Sequence, residues 1–236
     1  MPVKRVAIVQ SNYVPWRGYF DMIASVDEFI LLDDAQYTRR DWRNRNRIKT
    51  AQGTRWLTIA VQVSGRYTQS IYETMVAEED WADKHWRMLR QEYARAEGLT
   101  EVHDLLEQLY ATVPGPRLTD VNRHFLQGIS GFLGIETPIT LSLDYDPQGT
   151  RTERLLDLCV KAGATEYVSG PAARAYLEEE RFADAGIEVT WFEYGPYGEY
   201  PQVHPPYELH VSIVDLLLCA GRRAPGAFRS AEGLPV

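Results

Sequence analysis

The sequence predicts an α/β protein of Rossmann-like type: a mostly parallel sheet with an inserted helical subdomain. Three observations carry that expectation. Short apolar runs bounded by polar residues occur in the first and last thirds of the chain. In the last third they alternate with helical-period stripes through short connections, the pattern of parallel βαβ units. The middle third carries helical stripes alone.

Val6-Ala7-Ile8-Val9 reads as a buried strand. After Pro15-Trp16-Arg17-Gly18, Tyr19 to Val26 sets Phe20, Ile23 and Ala24 at helical spacing, and Phe29-Ile30-Leu31-Leu32 forms a second strand stopped by Asp33-Asp34. A Gln52-Gly53 turn precedes a third, Trp56 to Val61. Helices are expected at Trp81 to Ala96, at Val102 to Val113 (broken by Pro114-Gly115-Pro116) and at Leu118 to Leu133, where Gly134 is the stop. Strands at Ile139 to Ser142, Tyr167 to Ser169 and Val189 to Phe192 then alternate with helices at Arg151 to Ala162 and Ala172 to Asp184. Val211 to Ala220 is apolar nearly all round and reads as a buried closing helix. The expected organisation is one domain over 1–221, in which the strand-rich parts 1–65 and 138–221 share a sheet. A helical insertion covers about 80–134, and 222–236 is a loosely packed tail.

Composition narrows the function classes. The 236 residues are 44% apolar, 11% aromatic and 25% charged, which excludes global disorder. No run approaches the roughly 20 apolar residues of a membrane span, and the apolar run Val6 to Val9 is too short for a signal-peptide core. A cytoplasmic protein with no membrane partner is expected. Cys159 and Cys219 sit far apart in apolar surroundings as buried thiols, and the histidines show no metal-ligand spacing, so no metal site is expected. The net charge of −8 is opposite to that of most duplex-binding proteins. Gly-x-x-x-x-Gly-Lys, a Gly-x-Gly-x-x-Gly after the first strand, Gly-x-Ser-x-Gly and His-x-x-x-His are all absent, which removes the familiar ATPase, dehydrogenase, serine hydrolase and zinc-protease signatures.

Ligands of such folds bind at the carboxyl ends of the strands. After the first strand, Gln10, Asn12, Tyr13, Trp16 and Tyr19 combine amides with broad aromatic faces, the chemistry for a small polar, partly flat ligand. After the second come Asp33-Asp34, Gln36 and a run in which six of the eleven residues Arg39 to Lys49 are cationic. Guanidinium forks match phosphate and carboxylate oxygens, which nominates Arg43, Arg45, Arg47 and Lys49, with Asn46 among them. In an extended segment, odd and even positions of Arg43 to Arg47 face opposite sides. One of Asp33 and Asp34 caps a turn; the other acts as a base or holds Mg²⁺ beside phosphate. Ser169-Gly170 offers backbone N–H groups to an anion, and His204, in a Tyr/Pro-rich loop able to cover the pocket, is an acid–base candidate.

Two long motifs, Gln10-Ser11-Asn12-Tyr13-Val14-Pro15-Trp16-Arg17-Gly18-Tyr19-Phe20-Asp21 and Leu32-Asp33-Asp34 through Ile48-Lys49, resemble the WbqC-like protein family. The resemblance continues through Lys84-His85-Trp86, Arg151-Thr152-Glu153-Arg154-Leu155, Tyr167 to Ala172, Tyr200-Pro201-Gln202 and Ser212 to Leu217, and so covers nearly the whole chain. It implies a setting in bacterial polysaccharide or natural-product biosynthesis, and transfer of an acyl or aminoacyl group, glycine in particular, to an amine. Some members read Ile-His-Gln-Pro where this chain has Ile8-Val9-Gln10-Ser11, so that histidine has no counterpart here.

The function expected from these residues is a transferase acting on an anionic, phosphate-bearing small molecule such as a nucleotide-linked amino sugar. In it Asp33, Asp34 or His204 handles the proton and the cationic run grips the anion. The cofactor is undetermined, with ATP/Mg or an acyl donor as the options. The alternatives are a nucleotidyltransferase-like enzyme and an RNA-, tRNA- or partner-binding module built on Arg39 to Lys49.

Overall fold

A computed structural model describes residues 3–229. Five short strands form one parallel sheet: β1 (Arg5–Val9), β2 (Glu28–Leu31), β5 (Ile139–Leu141), β6 (Glu166–Ser169) and β7 (Glu188–Trp191), in the order β5-β2-β1-β6-β7. The inner strands β1, β2 and β6 are largely buried on both faces, which is why β1 and β2 read as continuous apolar runs, while the edge strand β7 is only partly covered. Val6, Ile8 and Ile30 pack with Leu155, Leu158 and Phe182 of α5 (Thr152–Lys161) and α6 (Glu179–Asp184). Ala7, Phe29 and Leu31 belong to the larger core on the other face. That core is shared with α1 (Arg17–Ala24), α2 (Trp81–Glu92), α3 (Leu99–Ala111), α4 (Leu118–Leu133) and α7 (Ile213–Ala220). This is a Rossmann-like α/β fold. Among the described residues no helix is long and apolar enough to cross a membrane.

The expected third strand is the point of largest difference. It is β4 (Gly53–Thr58), paired antiparallel with β3 (Arg45–Thr50) in a separate two-stranded sheet; Gln52-Gly53 is their turn. Of residues 1–65, therefore, only β1 and β2 join the main sheet. Alternation also fails to show that Ala172 to Asp184 is broken. A 3-10 turn (Pro171–Ala175) and α6 replace one helix, and the Tyr176-Leu177 step between them buries Leu177. The tail is not loose at its start: Ala224, Ala227 and Phe228 are buried around α8 (Ala224–Ala227), while the end of that expected tail, 230–236, lies outside the described residues.

Helix α7, entirely buried, seals the helical layer against α3 and β3. Where α7 ends at Gly221, its backbone meets Gly98 at the start of α3 so closely that a Cβ on Gly98 would overlap the Gly221 backbone. Gly98→Val is therefore expected to lower stability by about 3 kcal/mol, the upper part of the overpacking range. A shift of the urea midpoint at unchanged m-value measures it; a midpoint equal to wild type would show that the contact yields freely.

Candidate functional site

In open α/β sheets the crevice for a ligand lies where the chain direction reverses. Here the chain leaves β1 toward β2 on one side and returns to β6 on the other. A cleft of about 630 Å³ opens there. Val9 and Gln10 line it from the end of β1, Ser169 and Gly170 from the end of β6, and Thr150, Arg151 and Arg154 from the start of α5. Tyr176 and Tyr194 add aromatic walls. The cleft thus sets two guanidinium groups and the N-terminus of a ten-residue helix beside a mixed floor. Arg151 has a φ of 50°, which a non-glycine residue adopts only when its surroundings enforce it.

Asp33 does not face this cleft. Its carboxylate is fully buried and accepts from the Ser11 N–H (2.8 Å), the Ser11 hydroxyl (2.7 Å) and the Thr119 hydroxyl (2.7 Å). Burial raises its pKa, opposed by those donors and by Arg43. Asn122 extends the network by donating to Ser11 Oγ and to the Arg43 carbonyl, both at 2.9 Å. Asp33 thus fixes the loop after β1 to β2 and α4. Asp34 is half-buried, paired with Arg154 and accepting from the Ser142 hydroxyl. Both carboxylates are committed to protein donors, so neither is set out as a free magnesium ligand.

The cationic run does meet the loop after β1. The Arg43 guanidinium donates to the side-chain oxygens of both Asn12 and Gln10. The Tyr13 N–H donates to the Trp42 carbonyl (3.2 Å), and Asn46 Nδ2 donates to the Tyr13 carbonyl (3.2 Å). Ser212, the N-cap of α7, donates its hydroxyl to the Val14 carbonyl (2.7 Å) and its N–H to the Arg47 carbonyl (2.8 Å). These ties hold Val14 at a φ of 36°, a strained value for a β-branched residue. The indole of Trp16 folds over Gly18, where any Cβ would collide with the ring. A second, smaller pocket of about 280 Å³ results, lined by Asn12, Trp16, Trp42, Asn46, Arg47 and His210. It shares a wall with the main cleft: Trp16 packs on Tyr194 (centroids 5.3 Å apart), and Arg43 bridges Gln10 of one cavity to Asn12 of the other.

The other sequence-nominated residues are placed as follows. Tyr13 is fully buried, with its hydroxyl 2.9 Å from His85 Nδ1 and 2.8 Å from the Tyr110 hydroxyl, so it packs in the helical layer and presents no surface to a ligand. Tyr19 is buried beneath the loop and donates to the Gln10 carbonyl at 3.0 Å. Gln36 is exposed and donates to the Tyr67 carbonyl. Arg45 lies over Trp56 and donates to the Arg40 carbonyl, and it lines neither cavity. Lys49 departs from the alternating pattern: it is buried, with Nζ donating to the Pro206 carbonyl at 2.6 Å. His204 sits 3.2 Å from the Glu92 carbonyl at the end of α2 and lines neither cavity. Ser169 is buried at the cleft floor.

Arg151, Arg154, Tyr176, Tyr194 and His210 were not nominated by strand-end reasoning. The first two sit at the start of a helix, not the end of a strand, and only the shared motif Arg151 to Leu155 points to them.

A model of the WbqC-like protein family matches residues 10–226. The chain belongs to the WbqC-like protein family. It is also 52% identical over 227 residues to a Mycobacterium tuberculosis protein described as "Uncharacterized protein Rv1507c", covering 96% of this chain and 98% of that one. No solved structure matches the chain. The family match takes in both cavities from Gln10 to His210, leaving only Ile8 and Val9 of the main cleft before its start.

Proposed function

We propose that this WbqC-like protein is a biosynthetic transferase. In this reading its main cleft binds an anionic, phosphate-bearing small molecule of the nucleotide-linked amino-sugar class, and the reaction is acyl or aminoacyl transfer to an amine. The observation that supports the reading is the meeting of Arg151, Arg154 and the α5 N-terminus with Gln10, Ser169 and Gly170 at the β1/β6 reversal. The Arg151 guanidinium and that of Arg154, which Asp34 holds in place from one side, suit phosphate oxygens beside a helix N-terminus. The amide of Gln10 and the tyrosines suit a polar sugar or base.

A second reactant fits the adjoining pocket. Attack needs a neutral amine: its nitrogen bonds to the acyl carbonyl carbon, the bond to the acyl carrier breaks, and one proton leaves the nitrogen. Among the described residues the His210 ring makes no hydrogen bond to the protein, and it lines that pocket. An imidazole is the side-chain base best suited to this transfer near neutral pH. Arg43, at the partition, is the cation to which the developing oxyanion would turn.

A thermal-shift screen of nucleotides, nucleotide sugars, amino acids and acyl donors tests the reading. A true ligand at 100 times its Kd adds about 2.7 kcal/mol of stability. Arg154→Gln is expected to abolish most of that gain while the unliganded protein still melts cooperatively. If no phosphate-bearing compound raises the wild-type midpoint, the cleft assignment is wrong. Release of pyrophosphate from a nucleoside triphosphate would point to nucleotidyl transfer in its place.

A further inference from the structure

We propose that the outer face of the β3–β4 hairpin is a platform for a single-stranded nucleic-acid segment. This inference does not rest on the transferase reading: its groups line no part of the main cleft, although Trp42 and Arg47 border the smaller pocket.

Residues 39–58 hold seven cations (Arg39, Arg40, Arg43, Arg45, Arg47, Lys49 and Arg55) and one acid, Asp41, within a chain of net charge −8. Arg43 lies 3.5 Å from Asp41, Arg55 lies 3.7 Å from Glu92, and Lys49 is buried on a carbonyl. Among the described residues, Arg39, Arg40, Arg45 and Arg47 have no carboxylate within ion-pair distance, although acids outnumber bases in the chain. A surface whose only task were solubility would intersperse both signs.

The same face carries aromatic rings. The hairpin register puts Arg47 opposite Trp56, so both point outward, while Asn46, Ile48 and Leu57 point in. Trp42 and Trp56 lie side by side, with centroids 5.3 Å apart, and each is 40% exposed. The Arg45 guanidinium lies 4.1 Å from the Trp56 ring, and Arg47 lies 5.8 and 6.0 Å from the two indoles. In the segments flanking the hairpin, Tyr67, 71% exposed, has Arg39 at 5.1 Å. Guanidiniums that donate to backbone carbonyls but have no carboxylate partner, interleaved with exposed rings, supply the two components of sequence-tolerant single-strand binding: cations track the phosphates and rings stack on base faces. In a duplex the base faces are already stacked, so this arrangement favours a single strand. Trp42 and Arg47 also line the small pocket beside Trp16 and His210, so the platform adjoins that pocket.

The test uses fluorescein-labelled eight-nucleotide RNA and DNA strands of mixed sequence, read by anisotropy at 50 and 200 mM salt. The expected result is saturable binding to either strand, or to RNA alone, with log K falling on log salt by about 0.7 for each phosphate contacted. Arg39→Gln with Arg40→Gln should flatten that slope. Trp42→Ala with Trp56→Ala should weaken binding at least about fivefold, the low end for one lost stack. If the double variant melts early, Trp56→Leu alone supplies the reading, since the ring is largely outside the core. The same sequence as a duplex should bind at least tenfold more weakly. The proposal is overturned by absence of binding at 50 mM salt, by equal affinity of the tryptophan variants, by equal affinity for the duplex, or by equal competition from a polyglutamate peptide. The last result would mark a surface for acidic proteins.

Discussion

Asp33→Ala is expected to destabilise the protein by about 3 kcal/mol or more. The carboxylate receives three donors at 2.7–2.8 Å in a fully buried setting. Each donor left unsatisfied costs about 1–3 kcal/mol, and the lost atoms leave a cavity besides. The energetic gain from removing a charge whose burial already raises its pKa offsets only part of this. Asp33→Asn keeps the volume but turns an acceptor into a donor facing other donors, so it should fall between the two. Denaturant unfolding of the three proteins gives the order wild type, Asn, Ala. The same pair separates structure from catalysis. If Asp33→Asn remains folded and binds ligand normally, the residue positions Ser11 and the loop after β1. If it stays as stable as wild type yet loses turnover, the carboxylate acts on substrate and the positioning role is refuted.

His85 should dominate the acid side of the stability profile. It is buried between Tyr13 and Trp81, and desolvation lowers its pKa to about 4, from the usual value of about 6.5. The unfolded chain therefore takes up a proton at this position over a window in which the folded chain does not. By linkage, folding stability falls as the pH drops from about 6.5 to about 4, by about 3 kcal/mol in all. Asp33 and Asp215, whose pKa values burial raises, act in the opposite sense: their contribution is present at low pH and lost as pH rises through their folded values. Because Asp33 and Asp215 can only oppose this fall, the difference in slope between wild type and a His85 variant from pH 6.5 to 5 isolates the imidazole. His85→Gln should flatten the slope. A variant with the wild-type slope would assign the titration elsewhere.

The elements that sequence patterning located are those whose apolar period is decided by burial: the five sheet strands, the three middle helices and the closing helix. The hairpin was misassigned because β3 is written in cations. Its inward residues are Asn46 and Ile48, and Arg45 and Arg47 hide the alternation that would mark a strand. At the site, the pairing of the cationic run with the amide loop was legible, since a guanidinium near two amides finds acceptors. The inward turn of Tyr13 was not, because a tyrosine in a polar loop gives no sign of whether His85 and Tyr110 wait for its hydroxyl. Nor was the split between Asp33 and Asp34 decided by adjacency alone. It took Thr119, 86 positions away, to show which carboxylate is structural.

The place of α7 in the chain has a consequence for biogenesis. It emerges from the ribosome after α1 to α4 and β3, and Asp215 on it collects the hydroxyls of Tyr93 and Tyr200. Until those residues are translated, the parts of α3 and β3 that meet α7 lack that cover, and Tyr93 lacks its carboxylate acceptor, so the helical layer is expected to close only late in synthesis.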